Sequence, residues 1–173
     1  MSDRITGMSE DPNVKVTFAH LSEMKPQEVR AQRHADGSRR SVWDRWFVIN
    51  RDPALVSMHT EWDPGVLVHR HGHWGHHIMY VLKGGMWCGD RWCPEGTHIN
   101  VPFGAAAGPY RAGPDGVEIY EFTMGDGRSW EGDQTGFVEL LREQGVSPLP
   151  NPPIELPDWL EDRRSDQSTL TDS

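Results

Sequence analysis

Residues 69–77 read His-Arg-His-Gly-His-Trp-Gly-His-His, five imidazoles in nine positions. If Val66–His73 is a strand, Leu67, His69, His71 and His73 share one face, because side chains alternate. Residues two apart on that face sit ~6–7 Å apart, and their rings can converge on one ion at ~2.1 Å. A tight loop through Gly75 would return His77 at the start of the next strand as a third ligand. His76 has the opposite parity and is expected to point outward. Imidazole suits Fe, Zn, Ni or Cu and is a poor ligand for Mg or Ca. The expected cofactor is a divalent metal, Fe(II) first, with Zn(II), Ni(II) or Mn(II) as alternatives. The expected partner is a small molecule.

The elements that must position these residues read as short strands. Val42–Asn50, Leu55–Trp62 and Val66–His73 are apolar runs separated by Arg51-Asp52-Pro53 and Asp63-Pro64-Gly65, both turn signals. Ile78–Leu82, Met86–Cys88, His98–Val101 and Val117–Thr123 follow, each bounded by Gly, Pro or Asp. Short strands at this spacing indicate an all-β sandwich or barrel. Phe137, Leu140 and Leu141 lie at i, i+3, i+4 with Gly145 placed to stop a helix. Val14–His20 alternates weakly, as an edge strand would, and a helix begun at Ser22 is cut to a turn or two by Pro26. The expected organisation is an N-terminal arm with this strand and helix over 1–40, whose first 13 residues are poorly ordered. A β-barrel over 41–125, a helical segment over 126–146 and a Pro-rich acidic tail over 147–173 follow. The tail is expected to be extended or disordered and removable without unfolding the barrel, with Trp159 and Leu160 docking on the body.

Parity also sorts the residues around the ion. Met79 lies on the His77 face, and Met58, Trp74 and Phe103 are the other expected pocket-lining residues. His69 is on the ligand face and reads equally as a fourth ligand or as a support for the other ligands. Should catalysis need an acid or base, His69, His98, Glu121 and Tyr120 are the candidates. His59 reads as a satisfied or exposed histidine. Cys88 and Cys93 flank Gly89-Asp90, a hairpin turn that brings them near each other.

Composition narrows the class. The chain has 173 residues and a net charge of −9 from 17 basic and 26 acidic side chains. That length suits one domain. The acidic balance without a basic stripe disfavours nucleic acid. No apolar run approaches the ~18 residues of a spanning helix, so no membrane is expected. The start Met-Ser-Asp-Arg-Ile-Thr carries no apolar signal region, which makes the cytoplasm the expected address. Two cysteines are too few for a disulfide scaffold. Nucleophile-elbow, phosphate-loop and dinucleotide patterns are not found.

Gly65-x5-His71-x-His73-x3-His77-x6-Gly84 resembles the first motif of the cupins, Gly-x5-His-x-His-x3-4-Glu-x6-Gly, with His77 at the usual Glu. The second motif is half present: Pro102-Phe103-Gly104 fits, but the expected ligand position is Ala107. Pro94-Glu95-Gly96 also looks like the turn entering that strand. The resemblance covers about Leu55 to Met124. It implies an all-β, single-domain double-stranded β-helix barrel with short flanking helices and the metal inside, and a homodimer. His71, His73 and His77 would then be the ligands, all neutral, leaving the ion's full charge and open positions for a substrate that chelates through two oxygens. A nonhaem iron oxygenase is the leading expectation. A redox-neutral zinc cyclase, isomerase or lyase comes second, and a non-enzymatic ligand-binding module third.

Overall fold

The computed structural model describes residues 16–162 and 164–170. Among these are nine strands, all paired antiparallel: β1 (Gln27–Arg33), β2 (Arg39–Arg51), β3 (Ala54–Trp62), β4 (Leu67–Val68), β5 (His71–Cys88), β6 (Arg91–Pro94), β7 (His98–Val101), β8 (Tyr110–Glu131) and β9 (Ser147–Pro148). One helix, α1 (Gln134–Gln144), follows β8, and single 3-10 turns lie at Leu21–Glu23 and Gln167–Leu170. The strand order is β6-β5-β8-β3-β2-β1-β9, with β4 added to β8 and β7 to β5. No helix of the described residues is long and apolar enough to cross a membrane.

The two longest strands, β5 and β8, bend together. Their register breaks between Val81 and Lys83 and again between Gly84 and Met86. Gly84 has φ 72°, and a Cβ there would stand 2.4 Å from the Gly116 carbonyl oxygen, so only glycine fits this corner. Bending closes the sheet on itself. Val29 of β1 and Val42 of β2 share one apolar cluster with Met86 of β5 and Cys93 of β6, from the far end of the strand order. The result is an all-β barrel, as expected. Against it, Phe137 and Leu141 of α1 pack with Leu67 and Val146 as a second cluster. Asp133 caps α1 by accepting from Gly136 N at 3.1 Å, and Gly145 ends it in the left-handed conformation.

Several expectations need correction. There is no loop at Gly75: β5 runs unbroken from His71 to Cys88, because Gly75 sits in the ladder opposite Gly125. The strand expected over Val66–His73 divides into β4 and the start of β5. β8 continues to Glu131, so residues 126–131 belong to the barrel, not to a helical segment. Residues 16–20 form no strand; on that side of the sheet lie β1, whose Val29 and Ala31 are buried, and beyond it the two-residue β9. The arm expected over residues 1–13 lies outside the described residues. Cys88 and Cys93 do flank a hairpin turn and are free thiols.

The tail also differs from expectation. Its described residues are extended but held in place by contacts at several points. Ile154 packs on the barrel cluster, and Arg164 Nη1 donates to the Val29 carbonyl at 2.6 Å. Arg30 Nη1 donates to the Ser165 carbonyl at 3.1 Å, and Gln167, only 3% exposed, hydrogen-bonds His69. Trp159 and Leu160 are both exposed, and Leu160 also lines a cavity in the body.

Candidate metal centre

Strand alternation alone aims the site. From His71 to Val81 the odd-numbered residues of β5 face the barrel interior, which places His71, His73 and His77 in one row. Ring centroids are 5.1 Å apart for His71–His73 and 4.5 Å for His73–His77. Gly72, between the first two, backs directly onto Trp130 and Ala105; a Cβ there would meet the Ala105 carbonyl oxygen at 2.3 Å. The second-motif position, Ala107, exchanges backbone hydrogen bonds of 2.9 and 3.1 Å with His71. It therefore reaches the site but brings no donor side chain.

A carboxylate replaces it. On β8, Glu121 pairs with Met79 and is buried, with Oε2 3.0 Å from His77 Nε2. All four side chains line a cavity of about 310 Å³, together with Met58 and Met79 as expected. The side chains gathered there are thus the three imidazoles of the expected trio and, beside them, one carboxylate, Glu121, expected from sequence as an acid/base candidate. An ion held by all four would keep one net positive charge.

The hydrogen bonds around the rings fit a metal. His71 Nδ1 donates to the His69 carbonyl at 2.9 Å, and His73 Nδ1 donates to the Gly127 carbonyl at 2.9 Å. Both bonds fix the tautomer that leaves an Nε2 lone pair for a metal, the support that ligating histidines ordinarily have. Among the described residues no three His, Cys, Asp or Glu side chains already form a cage. The donor types suit Fe, Zn or Ni.

Other expected residues fall elsewhere. His69 is buried behind the row, its ring 5.1 Å from His71 and 5.9 Å from Phe137, with Nε2 unpartnered. It does not line the cavity. His98 is exposed on β7, and Tyr120 is on the outer face beside Phe47, because neighbouring Glu121 takes the inner face. Trp74 and Phe103, 53% and 64% exposed, stack near each other on the outside and do not line the cavity. Without a loop at Gly75, the even-numbered Trp74 has to point outward. His76 points outward to Asn100. His59 is buried on the far side of the sheet, 3.4 Å from Glu118.

Asp44, Thr60, Arg30, Trp46 and Tyr110 also line the cavity, and sequence reasoning did not select them. Asp44 carried a usable signal: it shares the inward parity of Val42 within an apolar run. Arg30 of β1 carried none.

Burial holds the imidazoles neutral, the form that binds metal. It is the main cause for His71, pushed well below the ordinary histidine range, and for His69 and His73, each pushed down to about 4. The neighbouring ring adds to it: His73 acts on His71, and His77 on His73. Below the ordinary histidine pKa the unfolded chain takes up protons that these folded rings refuse, so stability falls as pH falls. Asp44 opposes this. Burial first, then Glu121, push its carboxyl up to about 7, so the folded chain gains a proton there on acidification. Three groups outweigh one. Metal-free protein is expected to lose on the order of a few kcal/mol between about pH 7.5 and pH 5. Denaturant titrations followed by circular dichroism measure this; equal or greater stability at the lower pH would contradict the burial of these rings.

The architecture and the inward histidine row together define the protein: the chain has the cupin fold. No family model matches the sequence, and no curated protein does. Solved structures do match. A protein of Methylibium petroleiphilum PM1, provisionally described as an acetylacetone dioxygenase, aligns with TM-score 0.54 and 11% identity over 68% of this chain and 82% of its own. The polyketide cyclase RemF of Streptomyces resistomycificus aligns with TM-score 0.53 and 20% identity over 69% and 87%. An RmlC-like cupin of Ralstonia eutropha JMP134 aligns with TM-score 0.53 and 11% identity over 79% and 93%. At such identities the likeness is one of fold.

Proposed function

We propose that this chain is a metal-dependent enzyme acting on a small, oxygen-rich organic molecule, and that with iron it is an oxygenase. The observation that carries this reading is the row His71, His73 and His77, joined by Glu121, on the wall of a largely apolar cavity of about 310 Å³. That volume lies at the lower end of the range for small-molecule sites. A divalent metal bound there supplies Lewis acidity toward paired oxygens and, as iron, a means of using dioxygen.

The chain's own residues do the rest. His71 and His73 are held by the carbonyls of His69 and Gly127 and so present one nitrogen each. Val42, Met58, Val68 and Met79 shape an apolar wall, and Ile154, Leu156 and Leu160 of the tail extend it. Apolar surroundings strengthen the electrostatic contacts made inside. The fold is shared with a described dioxygenase and with a cyclase, so the redox-neutral reading is the second one, and the carboxyl of Asp44 in the cavity favours it.

Dioxygen uptake separates the two. Ferrous protein prepared anaerobically is mixed with acetylacetone, catechol or hydroxyacetone and exposed to dioxygen. The expected result is a ligand-induced change in the visible spectrum and consumption of dioxygen with at least one of them. Neither spectral change nor uptake with any would overturn the oxygenase reading, and tightly held zinc in the purified protein would favour the redox-neutral one.

A further inference from the structure

Of the cavity carboxylates that the proposed donor set leaves unused, Asp44 is the buried one; Glu161 and Asp162 of the tail are exposed. It is 8% exposed, on the inner face of β2, in the same cavity as His71, His73, His77 and Glu121. Its position is fixed by a relay. Asp44 lies opposite Thr60 on β3, and Trp62 Nε1 donates to Thr60 Oγ1 at 3.1 Å. That bond occupies an acceptor position of the hydroxyl and leaves its proton for the facing Asp44 carboxyl, whose pKa Thr60 acts to lower. A carboxylate buried in an apolar cavity, oriented by a hydroxyl and beside a histidine cluster, has the makings of a general base.

We propose that Asp44 is the proton-transfer residue of this cavity, taking the α-proton of a hydroxyketone or diketone held at the histidine row. This rests on the metal-enzyme reading above. In the step, the substrate C–H bond breaks and an O–H bond forms on Asp44. The electron pair left on carbon moves into the adjacent carbonyl to give the enolate. Asp44 becomes neutral as the substrate becomes anionic, so total charge is unchanged, and the proton is returned to carbon or oxygen in the reverse step. Glu121 is less suited, because its Oε2 faces His77 Nε2.

The charges around Asp44 agree with this role. Burial and Glu121 raise its pKa to about 7, while Thr60, Arg30 and Arg164 act to lower it. A cation at the histidine row would lower it further, which leaves a carboxylate at neutral pH whose conjugate acid is still within reach.

Zinc-loaded full-length protein tests the proposal without redox chemistry, using hydroxyacetone in deuterium oxide and proton NMR to follow loss of the α-hydrogen signal. Wild-type protein is expected to exchange these hydrogens faster than the same zinc in buffer. Asp44→Asn is expected to slow exchange by about a hundred-fold, with zinc content and hydroxyacetone affinity changed far less. Should Asp44→Asn not fold, Thr60→Val serves instead. It removes the hydrogen bond that lowers the Asp44 pKa, so the rise of exchange rate with pH should move to higher pH. Wild-type exchange rates in Asp44→Asn, or an unmoved pH profile in Thr60→Val, would overturn the proposal. So would zinc-loaded wild type that binds hydroxyacetone and exchanges no faster than buffer. Wild type that takes up no zinc would instead remove the metal-enzyme reading, and this inference with it.

Discussion

His71→Ala and His73→Ala, each alone, are expected to lose the metal while keeping a folded barrel. Both rings belong to the donor row, and each has its Nδ1 tied to a backbone carbonyl. Loss of even a supporting partner of a ligand lowers metal affinity ~10–100-fold, and loss of the ligand itself should exceed that. The fold should survive, because both rings stand on the wall of a cavity and belong to neither apolar cluster. The β5–β8 ladder that carries them is made by backbone groups. Elemental analysis after dialysis, with circular dichroism alongside, measures both halves. Full metal occupancy in both variants would overturn the ligand assignment.

Removing residues 150–173 is expected to destabilise the protein substantially. Proline and charge dominate that segment, and composition alone argues for a dispensable tail. Its contacts argue otherwise. Ile154, Leu156 and Leu160 form one wall of the cavity, Arg164 binds β1 through the Val29 carbonyl, and Gln167 is the partner of buried His69. Exposing the apolar wall and leaving His69 without its partner should together cost about 3 kcal/mol or more. Denaturant unfolding of the truncated chain against the full chain measures the loss. An unchanged midpoint would show that the tail rests on the barrel without stabilising it.

Legibility from sequence followed the physics of each element. The shared face of His71 and His73 was readable from alternation, and α1 from its spacing and Gly145; His77 was selected through a loop that the structure replaces by continuous strand. Gly75 misled: glycine marks loops, but here it lies across the ladder from Gly125, where two strands approach closely. The false loop is also what sent Trp74 into the pocket. Glu121 was selected, but its facing could not be read, because β8 carries unpaired residues between Gly125 and Ser129 and between Ala112 and Val117. Such breaks change register without a sequence signature. Gln167 and Arg164 were beyond reach, since nothing local to a polar tail says which strand it will cross.

The central claim is a metal centre built from His71, His73, His77 and Glu121. A crystal structure of protein purified without a histidine tag and loaded with Fe(II) or Zn(II), with the ion located by its anomalous scattering, tests it most directly. The account predicts one ion in the barrel cavity, bound by Nε2 of the three histidines with a Glu121 oxygen completing the protein donors. An ion bound instead through His69 or His98, or a metal-saturated crystal with no anomalous peak beside His71, would contradict it.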